Sequence, residues 1–174
     1  MNKNIDKIVM GGLFIAIGAI LPQLFHIAQL GTVVSPMHFP VILGGLILGL
    51  KYGFAVGVLT PLVTALIFDK PPLFPAGFAM ALELGVYGFI AGLINTNFKF
   101  SKNIYINLYA ILISAMLLGR IVAILTNSVF YLVGSSDDNF MEFLATLFVT
   151  GLPGIVLQVL MIPPLYLRIK SIKP

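Results

Sequence analysis

Two ionisable residues, Glu83 and Arg120, lie inside long apolar stretches of this chain. A charged side chain at membrane depth must face other protein groups and find a partner there. Arginine's planar guanidinium suits a carboxylate or a phosphate. Two compatible interpretations follow. The residues form an ion pair that locks two helices together, or Arg120 receives an anionic ligand group while Glu83 orients the ligand or accepts a hydrogen bond from it.

Polar residues recur on the same helical faces as these two charges. Tyr87 follows Glu83 by one turn, and Asn127 follows Arg120 by two turns. The spacing predicts two polar stripes that face each other, and Tyr87 and Asn127 are further candidate ligand contacts. The alternative for Tyr87 is an ordinary packed aromatic. Asn127 needs a partner in either case, because a buried amide is rarely left unbonded.

His26, His38 and Gln23 lie around the first predicted loop and are candidate donors at the mouth of a pocket. A metal site is disfavoured, because the two histidines belong to different elements and no third ligand follows at a recognisable spacing. Gln23 adjoins Pro22, and a proline in a membrane helix can expose a neighbouring side chain to a cavity. Ordinary interfacial histidines remain the alternative.

No catalytic arrangement is recognisable in the sequence. It has no Ser/His/Asp pattern, no paired acids at a useful spacing and no glycine-rich phosphate loop. Cysteine is absent, so the chain forms no disulfides and no thiolate metal sites. We therefore expect a protein that is not an enzyme, needs no cofactor and, if it transports actively, takes its energy from ions or from a partner. The net charge of +4 does not indicate nucleic acid, since the basic residues lie at helix ends.

Composition and charge placement predict an all-α membrane protein. The chain is 59% hydrophobic and 9% charged, whereas soluble domains carry about 25% charge. Eight of its ten Lys/Arg residues lie in alternate gaps between apolar segments, and four of its six acids lie in the other gaps. Because loops rich in Lys/Arg remain in the cytoplasm, both termini are expected there.

We expect one integral membrane domain over residues 1–174, a compact bundle of six transmembrane helices. Pro22 is expected to break the first span near its outer end, and residues 51–53 are expected to form the tight turn after the second. A re-entrant hairpin over residues 37–68 is disfavoured because it would place Lys51 at membrane depth. The predicted spans are 8–28, 37–50, 54–68, 73–94, 104–132 and 141–167.

Gly12 and Ala16 form a small-xxx-small pattern on the first span. Small residues let membrane helices approach each other closely. This surface either packs within the bundle or contacts a partner protein.

Five segments carry a resemblance to a known family. They are SPMHFPV at 35–41, GGLILG at 44–49, KYG at 51–53, PPLFP at 71–75 and MALELGVYG at 80–88. Together with the length and the six predicted spans, they resemble the substrate-binding (S) components of energy-coupling factor (ECF) transporters.

That resemblance implies a bundle that binds one vitamin-like molecule from outside. S components join a transmembrane coupling (T) subunit and two cytoplasmic ATPase subunits, and are thought to topple in the membrane to carry the ligand across. The implied pocket lies in the outer halves of the later helices, capped here by loops 29–37, 69–74 and 133–140. The family's Ala-xxx-Ala contact with the T subunit falls on Gly12 and Ala16, which favours the partner interpretation of these residues.

The resemblance is closest to pantothenate S components, and Arg120 suits a carboxylate. Folate, lipoate, cobalamin and pyridoxine-like substrates remain open. The implied location is the bacterial plasma membrane. Two other functions remain as alternatives: a membrane enzyme acting on a lipid or isoprenoid substrate, for which the predicted cytoplasmic face offers only Asp6 as an acid, and a structural membrane subunit without a ligand.

Overall fold

The computed structural model describes residues 3–27, 35–98, 101–134 and 140–172, and the regular elements within these ranges are all helical. Two wide, π-type turns, Leu73–Gly77 and Thr146–Thr150, interrupt the α-helices. The α-helices are α1 Lys3–Ile27, α2 His38–Leu48, α3 Leu50–Phe68, α4 Phe78–Asn97, α5 Ile104–Leu132, α6 Phe140–Ala145 and α7 Leu152–Ile172.

Five stretches of the described chain are long and apolar enough to cross a membrane. They are Asn4–Phe25, Leu50–Phe68, Leu73–Asn97, Ile104–Leu132 and Leu152–Ser171. The predicted second span is represented by α2, an apolar helix of 11 residues. At about 1.5 Å per residue, α2 extends through roughly half of a hydrocarbon core about 30 Å thick. The all-helical membrane architecture agrees with the prediction, but six full-length spans are not present among the described residues.

The bounds of α5 match the predicted span 104–132. The predicted position of the turn before α3, at residues 51–53, is wrong. Residues 51–53 belong to α3, and the chain reverses instead at Gly49, which has φ of 88° and ψ of 178°. Glycine adopts positive φ without the steric cost that a Cβ atom imposes. One residue is therefore enough for the reversal, and no polar turn is needed.

The expected break at Pro22 is absent, since α1 continues through it to Ile27. Proline removes one backbone donor from a helix. Neighbouring helices allow membrane proteins to tolerate that loss, and Pro22 is buried against the bundle.

The predicted last span, 141–167, is divided into α6 and α7. The N–H of Gly151 donates to the carbonyl of Thr146, five residues earlier, at 3.0 Å, so the chain makes a wider turn than an α-helix. Pro153 follows two residues later and has no N–H with which to continue an α-helical ladder. The wide turn and the proline together explain why this apolar stretch is not one continuous helix.

Glycines bring the backbones of α3 and α4 into direct contact. A Cβ atom at Gly57 would lie 2.1 Å from the carbonyl oxygen of Leu84, and one at Gly88 would lie 2.1 Å from that of Gly53. Small residues permit this close approach between membrane helices. With this face of α4 fixed against α3, Glu83 and Tyr87 are directed towards α2 and α5.

Candidate functional site

His38 is the first residue of α2, and its side chain is 12% exposed. Its Nδ1 lies 3.1 Å from the carbonyl oxygen of Ser35. A carbonyl can only accept, so Nδ1 carries the proton and donates it. The opposite nitrogen, Nε2, lies 3.8 Å from Oε1 of Glu83. The hydrogen bond to Ser35 therefore orients the imidazole so that its other side meets the carboxylate.

Glu83 and Tyr87 lie one turn apart on α4 and both are buried, with 9% and 1% of their surfaces exposed. The ring of Tyr87 meets the ring of His38 edge-on, with centroids 5.1 Å apart and an interplanar angle of 79°. Edge-to-face contacts of this kind favour a fixed relative orientation of two rings. Helices α2 and α4 are thus joined by an aromatic contact beside the approach of His38 to the Glu83 carboxylate.

The Tyr87 hydroxyl is close enough to the Glu83 carboxylate and the Arg120 guanidinium to interact electrostatically with both. A phenol can donate one hydrogen bond and accept another. It can therefore donate to Glu83 and accept from Arg120 at the same time. Gly119 leaves room for the phenol, because a Cβ atom there would lie 2.8 Å from Cε2 of Tyr87.

Arg120 connects α5 to the interruption between α6 and α7. Its Nη1 donates a hydrogen bond to the carbonyl of Leu147, within the wide turn. Gly151 lies beside the same guanidinium, where a Cβ atom would be 3.4 Å from Nη2. The guanidinium has five N–H donors, so it can serve this carbonyl and further acceptors together.

These side chains form one group, which we call the polar cluster: His38, Glu83, Tyr87 and Arg120. They come from α2, α4 and α5 and meet inside the bundle. One fixed cation, one carboxylate, an imidazole and a phenol suit the binding of a small molecule that carries an acid group and hydrogen-bonding groups. The cluster brings together three of the predicted site residues on α4 and α5 with one of the two predicted loop histidines.

Three other predicted site residues are not part of the polar cluster, or their side chains lie outside the described residues. The Asn127 amide donates to the carbonyl of Ala123 at 2.8 Å, within its own helix. Nε2 of Gln23 is buried and has no hydrogen-bond partner within the described ranges. The side chain of His26 lies outside the described residues. His38, which was predicted to flank the first outer loop, is the first residue of α2 and belongs to the polar cluster.

Gly12 and Ala16 are both exposed on α1, and a Cβ atom at Gly12 would meet nothing within 4 Å. The bundle is contacted instead by the opposite face of this helix, where a Cβ atom at Gly18 would lie 2.5 Å from Cγ2 of Thr60. The small-xxx-small surface is thus turned outwards, and α1 packs on α3 through other small residues.

Of the predicted capping loops, the structure describes residues 69–74, where the ring of Phe74 contacts that of Phe130 with centroids 5.3 Å apart. This contact joins the start of the turn before α4 to the end of α5. Most of loops 29–37 and 133–140 lies outside the described residues. No group of three metal-ligating side chains occurs among the residues that were described.

Sequence reasoning missed three contributors to the site. Two are backbone carbonyls, those of Ser35 and Leu147, and residue type carries no signal for a carbonyl. The third is Gly119, which admits the Tyr87 ring. Its position next to Arg120 is visible in the sequence, and a glycine beside an intramembrane charge is the signal that could have pointed to this role.

The family model of the ECF transporter, substrate-specific component, matches residues 6–166, which is nearly the whole chain. The chain belongs to this family. No curated protein and no solved structure matches the chain. An S component is a substrate-binding transport subunit and not an enzyme, which removes the membrane-enzyme alternative. Membership also implies a small-molecule substrate and association with T and ATPase subunits.

Proposed function

We propose that this S component binds a small carboxylated vitamin or vitamin precursor at the polar cluster, and that pantothenate is the first candidate. The observation that supports the proposal is that the buried Tyr87 hydroxyl interacts electrostatically with both Glu83 and Arg120. Polar groups that lie this close together in a buried site can share hydrogen bonds with a ligand.

The ligand's carboxylate is assigned to Arg120. A guanidinium binds a carboxylate through two parallel hydrogen bonds. Glu83 and His38 then form hydrogen bonds with hydroxyl and amide groups elsewhere on the ligand. Pantothenate carries both kinds of group. Gln23, whose buried amide nitrogen lacks a partner among the described residues, and Asn127 are assigned to the periphery of the same site.

The transport cycle follows from family membership and from the outward surface of α1. Ligand binds from outside, and a T subunit contacts Gly12 and Ala16, which are exposed and small. Two ATPase subunits supply the energy. In this arrangement both termini lie in the bacterial cytoplasm, because the Lys/Arg-rich ends of the helices face inwards.

A ligand screen tests the binding proposal. The purified chain is heated with pantothenate, folate, lipoate, pyridoxine or cobalamin, because a ligand that binds only the native state raises the melting temperature. We expect pantothenate to give the largest rise and Arg120→Gln to remove it. Arg168→Gln, at an exposed arginine on α7, is the matched control and should leave the rise intact. If no vitamin stabilises the protein, the proposal is wrong.

A purely structural role of Glu83 and Arg120, outside the ligand site, is the remaining alternative, and a double variant discriminates it. Replacing Glu83 and Arg120 together by Leu and Met preserves volume and removes both charges. Retained vitamin uptake by this double variant would show that the charges only lock helices. Loss of uptake in a variant that still folds supports their assignment to the ligand.

The coupling surface is tested separately. Gly12→Leu or Ala16→Leu should abolish uptake while ligand binding is unchanged, because a large side chain prevents close helix approach. Leu125→Phe, which enlarges a residue 60% exposed on α5, is the control and should leave uptake unchanged. Loss of binding in the α1 variants would favour packing within the bundle over contact with a T subunit.

A further inference from the structure

We propose that an anionic phospholipid binds between α1 and α7, with its phosphate between Lys7 and Lys170 and one acyl chain in the apolar groove that leads away from them. The site is distinct from the polar cluster and does not depend on the identity of the vitamin. Three observations carry the proposal: the chemistry of the groove, a second cavity that adjoins it, and the surroundings of the two lysines.

The groove has a volume of about 350 Å³ and is lined by apolar side chains alone. Residues from α1, α2 and α7 form its walls, with Phe14, Leu43 and Leu165 facing it from the three helices. Along α7 the lining extends from Leu157 to Ile169, or roughly 18 Å at 1.5 Å per residue. Half of a hydrocarbon core is about 15 Å thick, so the groove is long enough to hold one acyl chain.

A second cavity of about 320 Å³ adjoins the groove at one end. Ile169 lines both spaces, and α1, α2 and α7 contribute to both, while α4 adds Asn95 and Thr96 to the second. On α2 the lining passes from Leu43 in the groove to Leu46 in the cavity. On α1 and α7 the cavity ends at Lys7 and Lys170. A single amphipathic molecule can therefore occupy both spaces.

The ammonium groups of Lys7 and Lys170 are positioned to bind an anion. The Lys7 ammonium is 5.6 Å from the centroid of the Tyr52 ring, and the Lys170 ammonium is 5.8 Å from that of the Tyr166 ring. Neither is within 4.0 Å of a carboxylate in the part of the chain that is described. Asp6, beside Lys7 in sequence, is the one acidic side chain described at this end of the bundle.

A hydroxyl donor completes the cavity. Asn95 donates to the Tyr166 oxygen at 3.1 Å, so the Tyr166 proton is left to donate to another acceptor. Lys170 and Tyr166 also line a larger neighbouring cavity of about 700 Å³, together with Lys102. The headgroup of a phospholipid thus has room beyond its phosphate, and a further cation lies beside it.

The combination of groove and cations selects among possible occupants. A helix of another protein would fill the groove but leave the lysines without anions, and a soluble phosphate would leave the groove empty. A zwitterionic lipid brings its own cation towards the two ammonium groups. Basic pockets between helices at the cytoplasmic side of a membrane are typical sites for anionic headgroups. An anionic phospholipid satisfies both parts of the site.

Native mass spectrometry of the full chain in detergent tests this directly. We expect phosphatidylglycerol to be retained and phosphatidylcholine with the same acyl chains to be released. The double variant Lys7→Gln/Lys170→Gln should weaken phosphatidylglycerol binding by about tenfold or more, given the contribution of each lysine near an anionic surface. Lys51→Gln, at an exposed lysine of α3 outside both cavities, should have no effect.

A second variant examines the groove without altering charge. Leu165→Phe should fill the groove and reduce phosphatidylglycerol binding, whereas Leu160→Phe, at a residue 63% exposed on the same helix, should not. The melting temperature without lipid verifies that each variant folds. Equal retention of the two lipids, or stabilisation by inorganic phosphate equal to that by phosphatidylglycerol, would overturn the proposal. Vitamin binding, measured in parallel, reports separately on the polar cluster.

Discussion

The ring of Tyr87 rests against Gly119, where a Cβ atom would approach Cε2 of the ring to 2.8 Å. Gly119 immediately precedes Arg120, whose guanidinium lies within reach of the Tyr87 hydroxyl. The absence of a side chain at Gly119 therefore permits the contact that the next residue, Arg120, makes with Tyr87. The geometry of the polar cluster depends on this pair as much as on its charges.

Gly119→Ala should weaken ligand binding roughly tenfold, because overpacking a filled site costs about 1–3 kcal/mol. The added methyl group must displace the buried Tyr87 ring, and with it the hydroxyl. Binding is measured by calorimetry on the purified protein. Gly12→Ala is the control, since its Cβ meets nothing within 4 Å. Unchanged affinity in Gly119→Ala would show that the ring moves without consequence for the site.

Tyr87→Phe should lower the stability of the ligand-free protein by about 1–3 kcal/mol, the cost of leaving buried polar partners unsatisfied. Glu83 and Arg120 both lose the hydroxyl that neighbours them. Thermal unfolding in detergent is the measurement. Tyr109→Phe removes a hydroxyl from a tyrosine that is 37% exposed on α5 and should have little effect. Equal melting temperatures for the two variants would contradict the bridging role.

Gly57→Ala should prevent folding or reduce the folded yield severely. Its Cβ would lie 2.1 Å from the Leu84 carbonyl oxygen, and a backbone atom cannot change rotamer to avoid it. Helices α3 and α4 would have to separate. Size-exclusion chromatography of the expressed protein reports the outcome. Gly11→Ala is the control. Its Cβ would lie 3.6 Å from Val56, which is an ordinary van der Waals contact, so this variant should fold normally.

Asn95→Ala should destabilise the end of α2 by about 1–3 kcal/mol, again through unsatisfied buried groups. The Asn95 amide donates to the Leu46 carbonyl at 2.7 Å. That carbonyl lies in the last turn of α2, where helical partners are lacking. Hydrogen exchange at residues 46–50 should become faster. Asn97→Ala, at an exposed residue of the same helix, is the control, and equal exchange in both variants would rule out this capping role.

The elements that sequence predicted well are those whose limits depend on apolar length. Helix α5 has the predicted bounds 104–132 because a long apolar run ends there in polar residues. The turn at Gly49 was misplaced because a single glycine with positive φ suffices, and the polar residues that follow are helical. The break at residues 146–151 was missed because its residues are as apolar as those of a continuous span.

The site was predictable where it depends on unusual residue types. Glu83 and Arg120 were visible as charges within apolar stretches, and Tyr87 followed from helical spacing. The role of His38 was not, because its contact with Glu83 requires the packing of α2 on α4. The Leu147 carbonyl was beyond prediction, since it becomes available to Arg120 only where the last apolar stretch leaves the α-helix.

Helix α1 carries little side-chain volume at Gly12, on its outward face, and at Gly18, on the face towards α3. Flexible side chains between two helices absorb small displacements by changing rotamer, and glycine has none to change. A Cβ atom at Gly18 would already overlap Cγ2 of Thr60, at 2.5 Å. A displacement of α1 at Gly18 would therefore have to move Thr60 of α3 and, through the close contacts at Gly53 and Gly57, α4 as well.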